Sequence, residues 1–557
     1  MANIFNSIRL KRPKRNVFNL SYENKLTMNM GELVPIMCMP IVPGDKFRVN
    51  TEALVRLAPL VAPMMHRVNV YTHYFFVPNR LVWSQWEDFI TKGIDGEDTP
   101  VLPYLRLLEN TSLIETQAKI ANYFGDSSLW DYLGLPSLAG VGSVSYPDLI
   151  TRNGVVVPTD FRVSALPFRA YQLIYNEYYR DQNLTDPVEF GLDGGPVTGT
   201  ELARLLALRR RAWEKDYFTS ALPWLQRGPE VTVPIGGSFG NVVLDTSNDA
   251  NRQKFVTAAG GTNPLVGNNF LVGAPLTGQG ELRFGQQSGQ PTVNTPVYLD
   301  PNGSLKVEVS DNGGISIQDL RTSNALQRWF ERNARGGSRY IEQILAHFGV
   351  RSSDARLQRP QFLGGGKMPI AVSEVLQTSQ TTESSPQANM SGHGISAGVN
   401  NGFRHYFEEH GYVIGLMSIL PRTGYQQGVP RDFTKFDNMD FYFPEFAHLS
   451  EQEIKNQELY VSSDPTYNEG TFGYTPRYAE YKYHESEAHG DFRGNMSFWH
   501  LNRIFTDKPN LNTTFVECNP SNRVFATSKT QDDKFWVQIY QDVKALRLMP
   551  KYGTPML

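Results

Sequence analysis

A chain of 557 residues with 53 Lys and Arg against 56 Asp and Glu carries a net charge of -3, which excludes the strongly basic proteins that coat nucleic acid over their whole surface. The length allows several domains or one large architecture with long excursions, and 47 Gly, 35 Pro and 26 Tyr indicate a loop-rich β protein. Cys38 and Cys518 alone cannot build a disulfide framework or a cysteine-rich zinc site, no apolar run reaches the ~18 residues of a spanning helix, and no secretory signal is found, so synthesis in a reducing cytoplasm is expected.

In chain order, residues 1–25 hold Arg9, Lys11, Arg12, Lys14, Arg15 and Lys25 against Glu23, a local +5 that leaves -8 for the remainder. Mutual repulsion and Pro13 predict an extended basic arm, with Arg9, Lys11, Arg12, Lys14 and Arg15 as candidate nucleic-acid contacts and a solvated frayed end as the alternative. From Leu33 to Val77, Pro35, Pro40, Pro43, Gly44, Pro59 and Pro63 cut short apolar stretches into strands and turns. Val68, Val70, Thr72, Tyr74 and Phe76 alternate with Asn69, Tyr71, His73, Phe75 and Val77, predicting a strand buried on both faces inside a sandwich. Pro78 stops it, and Ser84 with Glu87 predicts a capping box for a short helix that ends at Gly93.

Three further helices are expected. Phe168, Tyr171, Ile174, Tyr175 and Tyr178 share one helical face. Thr198 and Glu201 form a capping box ahead of Leu202, Leu205 and Leu206. A third helix runs from Ser338 with Ile341, Ile344, Leu345 and Phe348 on one face and Gly349 as its stop. Residues 229–318 differ in composition, with 14 Gly in 90 residues, no Trp, Met, His or Cys, and a net acidic balance. This stretch reads as an insertion, and Leu305, Val307 and Val309, a turn at 311–314, then Ile315 and Ile317 predict a hairpin within it. Gln377 to Asn401 reads as a mobile polar loop, whereas Tyr412–Leu420, Arg523–Ala526 and Phe535–Val543 read as strands. The chain thus divides into an arm (1–25), a first β part with helical excursions (26–228), the Gly-rich insertion (229–318) and a second β part (319–557), and strands from both ends imply an antiparallel sandwich.

Catalytic patterns do not assemble. His405 and His410 flank Glu408 and Glu409, but five residues apart they point to opposite sides of either a helix or a strand, so no metal site is expected there. Gly364-Gly365-Gly366-Lys367 lacks the hydroxyl and the first glycine of a phosphate loop and reads as a Gly-rich turn, and His393 falls in the polar stretch, without the rigid support a catalyst requires. No enzyme activity, cofactor or metal is expected. Aromatic groups at Trp83 and Trp86, at Tyr474, Tyr478, Tyr481 and Tyr483, and at Phe498-Trp499-His500 suit a core, a subunit interface, or stacking on bases or sugars.

Several long blocks carry a family resemblance: Pro43-Gly44-Asp45, ALVRLAPL (53–60), YTHYFFVPNRLVWSQWEDFITKG (71–93), ERNARGGSRYIEQILAHFGVRSSDARLQRPQFLGG (331–365), EHGYVIGL (409–416) and DFRGNMSFWHLNRIF (491–505). In this order they resemble the major capsid proteins of microviruses, small tailless single-stranded DNA bacteriophages, especially the gokushovirus-like branch. The resemblance implies an eight-stranded antiparallel viral jelly roll with long inter-strand insertions containing several helices, assembling, through pentamers, into a T=1 icosahedral shell around circular single-stranded DNA. It also implies a virion assembled in the bacterial host cytoplasm, a DNA pilot protein as a partner, and protrusions at the three-fold axes, for which the 229–318 insertion is the candidate that contacts a host cell-surface receptor.

A shell of identical chains needs anchors for several unlike contacts. The Arg-rich block from Arg328 to Arg359, with Arg332, Arg335 and Arg339, and the aromatic Trp499 are the candidate subunit interface. Because the chain is net negative, one arm per subunit cannot neutralise a genome, so a small basic internal DNA-binding protein is an expected partner. Two rival readings stand beside this one: a carbohydrate-active β-sandwich enzyme or lectin, favoured by the Trp and Tyr content, and a cytoplasmic single-strand-binding protein, favoured by the arm.

Overall fold

The computed structural model describes residues 15–106, 122–141, 149–151, 156–157, 161–229, 231, 317–337, 339–378, 390–527 and 532–552, and between 255 and 299 only short strands. Arg9, Lys11, Arg12 and Lys14, and the hairpin expected over 305–315, lie outside these residues. The chain forms two compact units, one drawn from 1–227 and 331–557 and the other from 228–330.

Ten strands organise the first unit: β1 (Asn16–Asn19), β2 (Tyr22–Met28), β3 (Val34–Ile41), β4 (Lys46–Leu57), β5 (Val68–Pro78), β6 (Gln361–Pro369), β7 (Ala371–Leu376), β8 (Met390–Tyr406), β9 (Gly411–Pro421) and β10 (Phe535–Arg547). One sheet runs β1–β10–β4–β8–β7 with β2 also paired to β10; the other runs β6–β5–β9–β3. All these pairings are antiparallel.

Period-2 patterning decides which faces meet. In β4, Phe47, Val49, Ala53, Val55 and Leu57 point inward while Lys46, Arg48, Glu52 and Arg56 face solvent. In β10, Phe535, Val537, Ile539, Val543 and Ala545 do the same. These side chains share one core with Val70, Tyr74 and Phe76 of β5 and Val413, Met417 and Ile419 of β9, so the two sheets form a sandwich. Each such Val, Ile or Phe stabilises the fold by about 1.5–3 kcal/mol. One polar network crosses this core: the Tyr74 hydroxyl contacts Thr51, which donates to Gln541 Oε1 at 2.7 Å.

The second sheet is covered on its other face too, as the sequence of β5 anticipates. Phe75, Val77, Ile414 and Leu416 pack with Trp83, Trp130, Phe168, Tyr171 and Leu205 in a second core. Helix α1 (Leu166–Ile174) brings Phe168 and Tyr171 there, and α2 (Gly199–Leu206) brings Leu205. After Ile174 the helix widens into a π-turn at Tyr175–Tyr179, which buries Tyr179 and leaves Tyr178 half-buried, a shift that a regular 3.6 period does not foresee.

Several local expectations are corrected. The Ser84 hydroxyl donates to the Leu192 carbonyl at 3.0 Å and caps nothing; the short helix Trp86–Thr91 nevertheless ends through left-handed Lys92 and Gly93, φ 67° and 74°. Glu201 does not close a box with Thr198: its carboxylate accepts from the Gly191 amide at 2.9 Å and faces the buried Arg169 guanidinium at 3.5 Å. The stretch 390–401 belongs to strand β8, not to a loop, and Arg523–Ala526 is a turn joined to Leu60 by a single bridge. Ile317 begins helix α3 (Ile317–Gly336), and α4 (Tyr340–Phe348) follows with Gly349 as its left-handed stop, φ 68°. Gly364–Lys367 lies inside β6 with a bulge after Phe362, and a Cβ on Gly365 would sit 2.2 Å from the Thr72 carbonyl oxygen, so close strand packing explains that glycine.

Candidate functional site

Two of the histidines are engaged in packing the first unit. His73 in β5 contacts the Tyr179 hydroxyl at 2.8 Å and His66 the Arg422 carbonyl oxygen at 2.7 Å, and burial pushes both rings down to about 4. Glu409, beside His410, is held by Arg80 at 2.7 and 3.1 Å. Among the described residues there is no cluster of three or more His, Cys, Asp or Glu arranged to hold a metal, and both cysteines are free.

Of the expected interface residues, two have partners inside the subunit. Arg335 at the end of α3 pairs with Glu451, whose side chain is fully buried, in the strand Glu451–Lys455. Arg339 donates through Nη2 to the carbonyls of Asn176 and Arg180 at 2.9 and 3.2 Å, satisfying groups at the end of the π-turn. Arg332 is exposed, and Trp499 is half-buried with its carbonyl accepting from the Met65 amide at 2.8 Å. The apolar stripe of α4 is half-buried at Ile341 and Ile344 and open at its end, where Phe348 is 79% exposed. Removing Arg335 takes the partner from the buried Glu451 carboxylate, and because Arg335 is itself half exposed and screened by solvent, Arg335→Ala is expected to lower unfolding free energy by about 1–2 kcal/mol, with Glu451→Gln restoring most of the loss in the double variant. Denaturant titration of the two variants checks this; an unchanged midpoint for Arg335→Ala would show that the pair does not stabilise the subunit.

The most unusual surface lies elsewhere, in residues 431–446 of the connection between β9 and β10. Phe436 is 91% exposed and Phe433 75%, and Phe441, Tyr442 and Phe443 are close to half exposed. Yet the backbone beneath them is pinned. Asp440 accepts from the amides of Phe436 and Asp437 at 3.1 and 3.0 Å, and Asp437 from Asn438 at 2.7 Å, turn chemistry that fixes the bend. Arg477 donates to the Met439 carbonyl at 2.9 Å, and the Tyr478 hydroxyl to that of Phe441 at 3.0 Å. Tyr478 itself holds a left-handed φ of 61°, rare for a bulky residue, with its amide donating to Gln452 at 3.0 Å.

Charge is inverted here. Lys435, next to the most exposed Phe, keeps its side chain covered, lies 3.9 Å from the Tyr481 ring centre and bonds Asp432 at 2.6 Å. Arg431 reaches Glu458 at 3.0 Å and the Glu453 carbonyl at 2.7 Å. A strap whose cations, Arg431 and Lys435, are paired underneath while its rings stand outward is pre-organised for contact with another surface. The sequence reading looked to the Tyr474–Tyr483 group and missed the strap; Tyr478 and Tyr481 are its floor, and the signal was the run of Phe between Asp residues spaced for turns.

A cavity of about 350 Å³ adjoins the strap, lined by Tyr217, Tyr425, Arg431, Phe433, Glu458 and Glu485 among others. Burial, reinforced by the Asp216 carboxylate, pushes Glu485 up to about 8, and only the Tyr217 amide bond and Arg422 oppose this. A carboxyl raised in the folded state binds its proton more tightly there than when unfolded, so stability should fall as pH rises from 4.5 to about 8. Glu485→Gln is expected to flatten that decline in unfolding midpoint, and an unaltered pH profile would place the titration elsewhere.

A sandwich whose least ordinary surface is an outward-facing aromatic strap fits a structural protein that works by contact. A family model described as "Capsid protein (F protein)" matches residues 6–557. Over 612 aligned positions the chain is 36% identical to "Capsid protein VP1" of Chlamydia phage 1, covering 100% of this chain and 98% of that one. It is 35% identical to "Capsid protein VP1" of Bdellovibrio phage phiMH2K, covering 97% and 95%, and 29% identical to "Capsid protein VP1" of Spiroplasma virus 4, covering 98% and 95%. The chain belongs to this family of phage capsid proteins, which places it in the virion in a structural role.

Proposed function

We propose that this chain is the subunit of a T=1 icosahedral shell, built through pentamers around circular single-stranded DNA, and that the 431–446 strap is one of its subunit contacts. The observation that carries the reading is the rigid outward display of Phe433 and Phe436 in a chain that matches the capsid family from residue 6 to its end. The exposed Leu345 and Phe348 of α4 and the exposed Arg332 support a second contact in the Arg-rich block, and Trp499 is a further expected anchor; Arg335 and Arg339 shape that block from within.

The strand order supports the jelly-roll reading. Leaving aside β1 and β7, eight strands give sheets β2–β10–β4–β8 and β3–β9–β5–β6. Successive strands change sheet at every step but β5 to β6, the winding of a folded antiparallel ribbon. The basic arm and a separate small basic protein would meet the genome, a DNA pilot protein would share the particle, and the 229–318 insertion would face the host receptor. Purified subunits examined by size-exclusion chromatography and negative-stain microscopy should give uniform closed shells. A subunit that remains monomeric under all salt conditions, or hydrolyses a glycan, would favour the carbohydrate-active alternative.

A further inference from the structure

On the solvent face of the first sheet, like charges stand directly opposite one another. Arg48 of β4 is in register with Lys544 of β10 on one side and with Arg404 of β8 on the other. Side chains in such positions lie about 5 Å apart at Cβ, where like charges repel. Next along, Lys46 is in register with Tyr406, and both Lys46 and Arg15 lie 5.8 Å from that ring's centre. Lys46, Arg48, Arg404, Tyr406 and Lys544 border a depression of about 430 Å³.

Among the described residues, Lys544 alone of these cations pairs with a carboxylate. Asp542 lies 3.7 Å from Lys544, Glu23 pairs with Lys25, and Glu52 is opposite Tyr540, two rows from the cluster. Among the described residues no carboxylate pairs with Arg48, Arg404 or Lys46, although all three are exposed and Arg80, Arg210 and Arg431 elsewhere in the fold do find carboxylate partners. A cluster of four cations with one carboxylate partner leaves positive charge that an external polyanion would answer.

Resting on the shell reading above, we propose that Arg48, Arg404, Lys544 and Lys46 form a phosphodiester-binding site on this sheet, with Tyr406 offering its ring to a base. A nucleic-acid strand fits better than an acidic peptide because exposed rings recur along the same face: Tyr540 and Trp536 lie four and eight residues from Lys544 on β10, a span of about 27 Å. Cations that neutralise phosphates beside aromatic platforms are what single strands require, without regard to sequence. Arg15 also precedes β1 at this edge, so the basic arm joins the fold beside the cluster.

The test uses the full chain with Arg48→Gln and Arg404→Gln together, and separately Tyr406→Leu. Binding of a fluorescein-labelled oligothymidylate is read by anisotropy across a salt series, and particle formation by microscopy. Loss of two phosphate contacts should weaken binding about tenfold at low salt and reduce the log–log salt slope by about 1.4, with shells still forming. Tyr406→Leu should weaken binding while leaving the slope unchanged. Unchanged affinity and slope in the double variant would overturn the site, as would equal binding of polyglutamate that displaces the oligonucleotide. If the native chain forms no shells, the shell reading fails, while the anisotropy series still decides the phosphate site.

Discussion

Subunits carrying Phe433→Ser, Phe436→Ser and Phe441→Ser are expected to fold normally and fail to assemble. Phe433 and Phe436 are largely exposed and Phe441 is half exposed, so their combined loss should change unfolding free energy by only about 1 kcal/mol. At a contact between subunits, an aromatic anchor in a desolvated centre contributes about 2 kcal/mol or more. Three such losses, even with strong non-additivity, raise the concentration needed for assembly by about a thousandfold. Every subunit in a closed shell repeats the same contact, so the deficit is not diluted by native neighbours. The comparison is particle yield by microscopy against thermal melting of the same preparation. Native yield with all three rings removed would take the strap out of the assembly surface; a lowered melting temperature would show that the rings pack within the subunit.

The contrast between this strap and the rest of the chain explains what a sequence reading can reach. Strand β5 was legible because Val68, Val70, Tyr74 and Phe76 alternate with other bulky residues between clear stops, and period and propensity agree with its place between two cores. The two capping boxes were not, since the groups they needed found tertiary partners: Glu201 is held by Arg169 and the Gly191 amide, and the Ser84 hydroxyl by Leu192. Strand β8 resembled a loop for a packing reason. A Cβ on Gly394 would fall 2.8 Å from the Leu57 side chain and one on Gly402 2.0 Å from the Val49 carbonyl, so a strand pressed against β4 needs the small residues that elsewhere signal turns. The strap was hidden by a subtler inversion. A lysine beside a phenylalanine reads as charge out and ring in, and only the partners of Lys435, contributed by Tyr481 and Asp432, reverse the two. The cationic row was equally invisible, because Arg48, Arg404 and Lys544 come from strands far apart in sequence and meet only through register.

Replacing residues 236–314 by a short Gly-Ser linker is expected to leave shells able to form and to abolish most attachment to host cells. The replaced stretch lies within the second compact unit, which spans 228–330, so the sandwich strands and the strap are all retained. Shortening a connection costs little chain entropy, since each doubling of loop length changes closure by only about 0.6 kcal/mol. The composition of the insertion argues for an outward position: it is rich in Gly, net acidic and without Trp or Met, so it is poorly suited to a hydrophobic core and would be repelled by packaged phosphates. Small two-stranded ribbons are marginal alone, and copies from neighbouring subunits would gain by packing together, as protrusions at three-fold axes would permit. If that protrusion meets a receptor through a contact worth about 3 kcal/mol, adsorption should fall about a hundredfold. Particle counts and adsorption to host cells separate the outcomes. Loss of shells would make the insertion a clamp between subunits, whereas undiminished adsorption would leave receptor contact to another surface, with the open end of α4 at Phe348 the next to test.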